Sequence, residues 1–436
     1  MKITQMNVIP VTMADPPLRN APGIHEPYVN RLIVELVGEN GMSGWGEQAF
    51  STALWADLQA ISERVVGLDS LNHAGILRVV EEHFLGDDDR IDPILRNFRT
   101  DVRKPGMTIP RAFSPIEVAA FDLSGKSLGL PVVDLLGGAV RDSVSFSAYL
   151  FYKHSGGGGE GDDLREDEYG EAMSPEQVTA QARQMIDKHG FKSIKFKAGV
   201  LEPDQEIESI RQMRREFGPD MPLRIDPNCA WGMETSLHVA RELRDELEYL
   251  EDPIATIPGM GALRRQLLSE GIDLPQATNM CVTEFAQINE SVFEDAVQVV
   301  LGDHHYWGGL RATTELGRIC EAFGMGMSMH SNTHFGISLM AMTHAAAATR
   351  ALTYDVDTHY PWLDEADEIV AGGKIQFTDG KLKVPDSPGL GIEVDREALA
   401  RQHALFNRIT YRDRDDVGHM QRTVDANWSE HLPRWE

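Results

Sequence analysis

The chain is short of cysteine and of positive charge. Only three cysteines occur in 436 residues, Cys229, Cys281 and Cys320. They are far apart and odd in number, which excludes a disulfide framework and fits a reducing cytosol. No C-x-x-C pair is present to hold zinc. Lys and Arg total 41 against 68 Asp and Glu, a net charge of −27. That excess argues against nucleic acid or an anionic membrane as partner. It also means that a site for an anionic substrate must carry its own positive charge. No uninterrupted apolar run reaches membrane-spanning length, and residues 1–7 lack a signal-peptide core, so a cytoplasmic location is expected.

What is present suffices for a large core. Hydrophobic residues make up 42% of a chain longer than one usual domain, so two domains, one of them large, are expected. Residues 1–125 read as an α+β unit. Strand patterns over 3–13 and 31–37 precede helical periodicity over 53–66 and 115–128. From about 140 the texture becomes strand, then helix, repeated. Strands are expected at 144–151, 193–198, 222–227, 247–253, 276–282, 297–303, 325–330 and 352–357. Amphipathic helices are expected at 175–188, 204–217, 234–247, 290–296, 313–323 and 338–348. Eight strands with intervening helices across 140–365 predict a parallel β/α barrel. An open doubly wound sheet is the alternative, and no dinucleotide-binding glycine loop supports it. Residues 370–436 return to short strands and a helix from Asp395, expected to pack back on the N-terminal unit. The Gly156–Gly159 run and the acidic stretch after it read as a solvated excursion, or else as a flap over the site.

Within the barrel one stretch stands out, Ser193-Ile-Lys195-Phe-Lys197-Ala-Gly199. Its period of two places both lysines on one strand face, where each disfavours the other's protonation and favours the neutral amine a base needs. A solvated strand edge is the plain reading of this stretch alone. The other strand ends argue against it, because barrel active sites gather at the C-terminal ends of the strands. Those ends carry Asp226-Pro-Asn228, Glu251-Asp-Pro253, Thr278-Asn279, Asp303-His-His305, His330-Ser-Asn332 and Asp357-Thr-His359. Asp226, Glu251 and Asn279 on successive strands offer three hard oxygen ligands, a set suited to Mg2+. Asp303 beside His330 would fix the imidazole tautomer and raise its basicity. The spacing of His330 and His334 invites zinc, but no metalloprotease glutamate accompanies it. A lysine base, a histidine and a divalent cation together suit removal of a proton next to a carboxylate.

These motifs, with Gly44-Trp-Gly-Glu47, the stretch from Gly125 to Gly138 and Ala277-Thr-Asn-Met280, resemble the enolase superfamily. Within it they resemble the glucarate dehydratase family of the mandelate-racemase-like subgroup. The resemblance implies a (β/α)7β barrel with an α+β cap built from both chain ends, and a hydro-lyase of acid-sugar catabolism. It implies Mg2+ on Asp226, Glu251 and Asn279, with Lys197 and the His330–Asp303 pair as bases. Lys195 would face the substrate carboxylate and keep Lys197 neutral, and Asn228 would support the metal end. His25, Tyr149, Ser331, Asn332, His359 and Arg414 would contact substrate, Arg414 and His25 at the far carboxylate. The reaction implied is dehydration of D-glucarate to a keto-deoxy-glucarate, with L-idarate as epimer or second substrate. A galactarate or talarate dehydratase, or a racemase, would use the same site. A non-catalytic acid-sugar-binding paralogue is the reading from another class. A homo-oligomer is expected. A family threonine that reads the distal end of the substrate matches either Thr100 or Thr108.

Overall fold

The computed structural model describes residues 1–85 and 108–436. Strands β1 (Ile3–Ala14), β3 (Tyr28–Gly38) and β4 (Ser43–Ala49) form an antiparallel sheet in that spatial order. One face carries Leu32, Val34 and Leu36 onto helices α1 (Thr52–Val65), α2 (His73–His83) and α3 (Thr108–Leu128). The glycines of Gly44-Trp-Gly46 have a steric reason. A Cβ on Gly46 would stand 1.9 Å from the Pro115 carbonyl oxygen, and one on Gly44 2.1 Å from that of Ala119. Only glycine lets α3 lie this close to the strand.

The larger layer is a barrel-like parallel sheet. Its strands are β6 (Ala148–Lys153), β7 (Ile194–Lys197), β8 (Leu223–Asp226), β9 (Tyr249–Glu251), β10 (Gln276–Thr278), β11 (Val299–Gly302) and β12 (Gly326–Met329). They neighbour one another in chain order, and β2 (Leu18–Arg19) adds antiparallel to β6. The predicted first strand is divided. Ser143–Ser145 (β5) leaves the barrel to pair with β13 (Lys381–Lys383), and β6 alone continues in it.

The predicted eighth strand does not form as a strand. Residues 352–357 make only single parallel bridges, Met327 to Leu352 and Phe146 to Val356. Backbone bonds from Thr353 and Tyr354 to Met327 on one side, and from Val356 to Ser145 on the other, still close the ring.

The helices between strands follow the apolar periodicity with shifted ends. Helix Phe285–Phe293 sits earlier than expected, and helix Ile257–Ser269 was not expected at all. Pro258, Gly259 and Gly261 read as loop, yet Pro258 falls in the first turn, where its missing N–H costs nothing. Helix Gly336–Ala348 is buried almost all round, not amphipathic, because it lies between barrel and cap. Helix Arg396–Arg408 packs on β1, with Phe406 in the cap core, whereas Trp435 bridges to Trp231 at the barrel rim. The loop after β6 is tied down. Lys153 binds Asp167 and three carbonyls of the loop, Glu160 N–H donates to Tyr28, and Arg165 pairs with Asp367. It clamps the barrel to the cap and lines no part of the cavity below. Among the described residues no helix is long and apolar enough to cross a membrane.

Candidate active site

A cavity of about 160 Å³ opens where cap and barrel meet. Ten of the residues singled out in the sequence line it: His25, Tyr149, Lys197, Asn228, Asn279, His330, Ser331, Asn332, His359 and Arg414. Asp226, Glu251, Asp303 and Lys195 stand directly behind that lining, each buried. Thr108 opens α3, buried and outside the cavity lining, and Thr100 lies outside the described residues.

Parallel register explains the convergence. Lys195 is level with Tyr149 on β6, and Lys197 is level with Asp226 on β8. The Lys197 ammonium touches Asp226 and donates to Asn228 Oδ1 at 2.6 Å. Asn228 therefore links Lys197 to Asp226, its own N–H bonded to Asp226 Oδ1 at 2.9 Å.

Lys195 departs from the expectation. It is fully buried, with Nζ 2.6 Å from Glu251 Oε1, 2.7 Å from Asp357 Oδ2 and 3.3 Å from Asp226 Oδ2. It neutralises carboxylates and does not face the cavity. Nor does the lysine pair neutralise itself. Burial, the largest single influence, favours the neutral amine of Lys197 and Lys195 acts with it, but the acidic groups around it, Asp226 foremost, together outweigh both, and Lys197 lies above the usual lysine range. Lys195 is likewise driven well above the usual lysine range, burial losing to the carboxylates around it, Asp357 and Glu251 first.

The carboxylates show the complementary imbalance. Burial and then Asp226 push Glu251 well above its usual range, and the same two causes push Asp252 up to about 6. Asp226, pulled by Lys197 and Lys195 against its burial, goes below the usual range. Asp226, Glu251 and Asp252 each bring an oxygen within 4.8 Å of the others. Asp252 is already committed, accepting from the Thr278 hydroxyl and, at 2.9 Å, from the Asn279 N–H. It orients Asn279 rather than facing the gap. Two oxygens there, Glu251 Oε2 and Asn279 Oδ1, are buried with no partner. Orphaned buried acceptors beside surplus carboxylate charge fit a hard divalent cation held by Asp226, Glu251 and Asn279.

Across the cavity His330 Nδ1 donates to Asp303 Oδ2 at 2.9 Å, which turns Nε2 toward the open space. Burial lowers His330 below the usual imidazole range, and Asp303 only partly offsets this. The expected gain in basicity is thus reversed by desolvation. His359 stacks edge-on to Tyr149 at 4.8 Å, with a buried and unpartnered Nδ1. Ser331 accepts the His359 N–H at 3.0 Å. Asn332 keeps a buried Nδ2 without a partner. Tyr149 is pushed up to about 12 by burial, so it stays a hydroxyl.

At the far end His25 bonds Asp15 at 3.0 Å, and Arg414 Nε is gripped by both oxygens of Asp416 at 2.9 Å. Sequence reasoning missed Asn20, Arg31 and Asp416 in the lining, and gave Asp357 and Asp252 no role.

Residues 177–398 match the family described as enolase C-terminal domain-like, and residues 4–137 match the mandelate racemase / muconate lactonizing enzyme N-terminal domain. A curated protein of Streptomyces coelicolor, named a probable glucarate dehydratase, is 44% identical over all of this chain and 99% of its own length. A crystal structure from Pseudomonas fluorescens, described as an enolase with bound magnesium, potassium and tartrate, is 43% identical over 99% of both chains with a TM-score of 0.93. Another enolase, from Thermobispora bispora with magnesium and formate, is 44% identical over 100% of both chains, also with a TM-score of 0.93. The chain is a member of the enolase superfamily, with the cap and barrel of its mandelate racemase / muconate lactonizing enzyme branch.

Proposed function

We propose that this protein is a magnesium-dependent acid-sugar dehydratase, a hydro-lyase acting on D-glucarate or a close hexarate. The observation that carries the reading is the pairing of two base-capable groups, Lys197 and His330, in one cavity beside a carboxylate set with orphaned acceptors. The full-length similarity to a probable glucarate dehydratase supports the choice of substrate.

When bound by Asp226, Glu251 and Asn279, Mg2+ would offset the negative charge that develops on the substrate carboxylate and weaken the carboxylate hold on the Lys197 proton. The residues of the chain do the rest. Arg414 and His25 orient the distal carboxylate, in a protein whose net charge would otherwise repel it. Asn332 Nδ2 and His359 Nδ1 offer unpaired polar atoms to the hydroxyls between. Depending on the configuration at the reacting carbon, Lys197 Nζ or His330 Nε2 takes the α-proton. His330, protonated by that transfer or from solvent as the dicarboxylate binds beside it, gives a proton to the β-hydroxyl, which leaves as water. The enol that remains tautomerises to the keto-deoxy acid. Two bases in one cavity also support epimerisation between D-glucarate and L-idarate.

Purified protein with Mg2+ is offered D-glucarate, L-idarate, galactarate and L-talarate, and keto acid is measured. Keto acid from D-glucarate is the expected result. None from any hexarate would overturn the proposal.

A further inference from the structure

Asp303 serves two histidines. Its Oδ2 takes His330 Nδ1, while its Oδ1 takes both the ring Nδ1 of His305, at 2.7 Å, and the His305 backbone N–H, at 2.8 Å. The carboxylate is 3% exposed, so water has little part in fixing its orientation. Rotation about its Cβ–Cγ bond would tilt Oδ2 away from His330, and the two donors on Oδ1 oppose that rotation.

The proton on His305 is itself specified. Arg31 has only donors to offer, and its Nη2 stands 3.3 Å from His305 Nε2, where the Ser338 hydroxyl also lies at 2.9 Å. Nε2 therefore accepts and Nδ1 carries the hydrogen toward Asp303. Arg31 is fixed in turn by Glu47 at 2.8 Å and by Asn332 Oδ1 at 2.9 Å, two residues beyond His330. Glu47 also accepts the N–H groups of Phe335 and Ser338, both at 3.0 Å. A buried pair on two cap strands thus holds both sides of the His330–Asp303 dyad. Lys197 is bonded to Asp226 and Asn228, neither of them part of this hydrogen-bond network.

We propose that His305, its tautomer set by Arg31, is a positioning residue for one base of the two, aligning His330 through Asp303 and leaving the Lys197 face untouched. This rests on the dehydratase reading, and the test separates the two.

Exchange of the α-proton with D2O is followed by NMR for D-glucarate and L-idarate, which differ in the face on which that proton lies. Lys197→Ala identifies the epimer that depends on His330. In His305→Gln the amide falls at the place of Nε2, toward Arg31 and out of reach of Asp303. Exchange of the His330-dependent epimer is expected to fall about 10–100-fold, while the other epimer keeps its rate. His305→Asn puts its amide at the place of Nδ1 and is expected to restore most of the loss. A merely structural role would lower both epimers alike. Equal loss on both faces in either folded variant, no loss in the Gln variant, or an Asn variant no better than Gln would overturn the proposal. Wild-type protein that exchanges neither epimer and forms keto acid from neither would instead refute the dehydratase reading, and this proposal with it.

Discussion

Replacing Lys195 with methionine should cost stability in a manner that magnesium repairs. The side chain is fully buried, and its ammonium lies within 3.3 Å of three carboxylates that are themselves buried. Methionine nearly preserves the volume, so the loss is electrostatic. Removing one partner of a buried pair costs about 3–5 kcal/mol, and here one ammonium serves three acids. Unfolding entropy near 2.1 cal/mol/K per residue amounts to roughly 0.9 kcal/mol/K for the chain, so Tm should fall by roughly 3–5 °C. Binding of Mg2+ at about 100 times its Kd adds about 2.7 kcal/mol, and should add more in the variant, whose carboxylates lack other compensation. The assay is thermal unfolding of both proteins, in chelator and in saturating Mg2+. A variant as stable as wild type in chelator, or one that gains no more from Mg2+ than wild type, would refute the charge balance described for this site.

Lys197→Ala and His330→Asn should each lower dehydration of at least one of the two epimers, D-glucarate or L-idarate, at least about 100-fold, with circular dichroism unchanged. Near-normal turnover of both epimers in either variant would remove that residue from the chemistry. Glu47→Gln leaves Arg31 buried without its counter-charge and should cost about 3 kcal/mol in urea unfolding, through the loosened contact between cap and barrel. Burial pushes Glu117 up to about 8, against the bond it accepts from the Leu310 N–H. Between an unfolded value near 4.5 and that folded value the native state retains a proton the unfolded chain releases, so this residue's stabilisation is lost as pH rises. Glu117→Gln should flatten the decline of Tm across that window, and an unchanged slope would contradict the assignment.

The barrel was legible because its signals are local. Apolar runs with period two alternate with helical periodicity, and polar residues recur at the strand ends. The eighth stave could be read as a position but not as a strand, since two single bridges hold it and no ladder does. The lysine pair was misread for a reason of distance. The proton affinity of Lys195 depends on Asp357 and that of Lys197 on Asp226, both far outside the Lys-x-Lys stretch, and counting charges within it cannot include them. His330 shows the same limit in reverse: adjacency to Asp303 is visible in the strand order, but the burial that outweighs it is not. Arg31 reads as an ordinary member of a strand of the cap. Only the fold turns it toward His305 and Asn332.

The most direct test of the whole account is the fate of the α-proton in wild-type protein. D-glucarate is incubated in D2O with the enzyme and Mg2+, and recovered substrate and product are examined by mass spectrometry. Solvent deuterium in the recovered hexarate, accompanied by keto acid and abolished by chelation, is the predicted result. Keto acid formed equally well in chelator, or complete retention of the original proton without any keto acid, would contradict it.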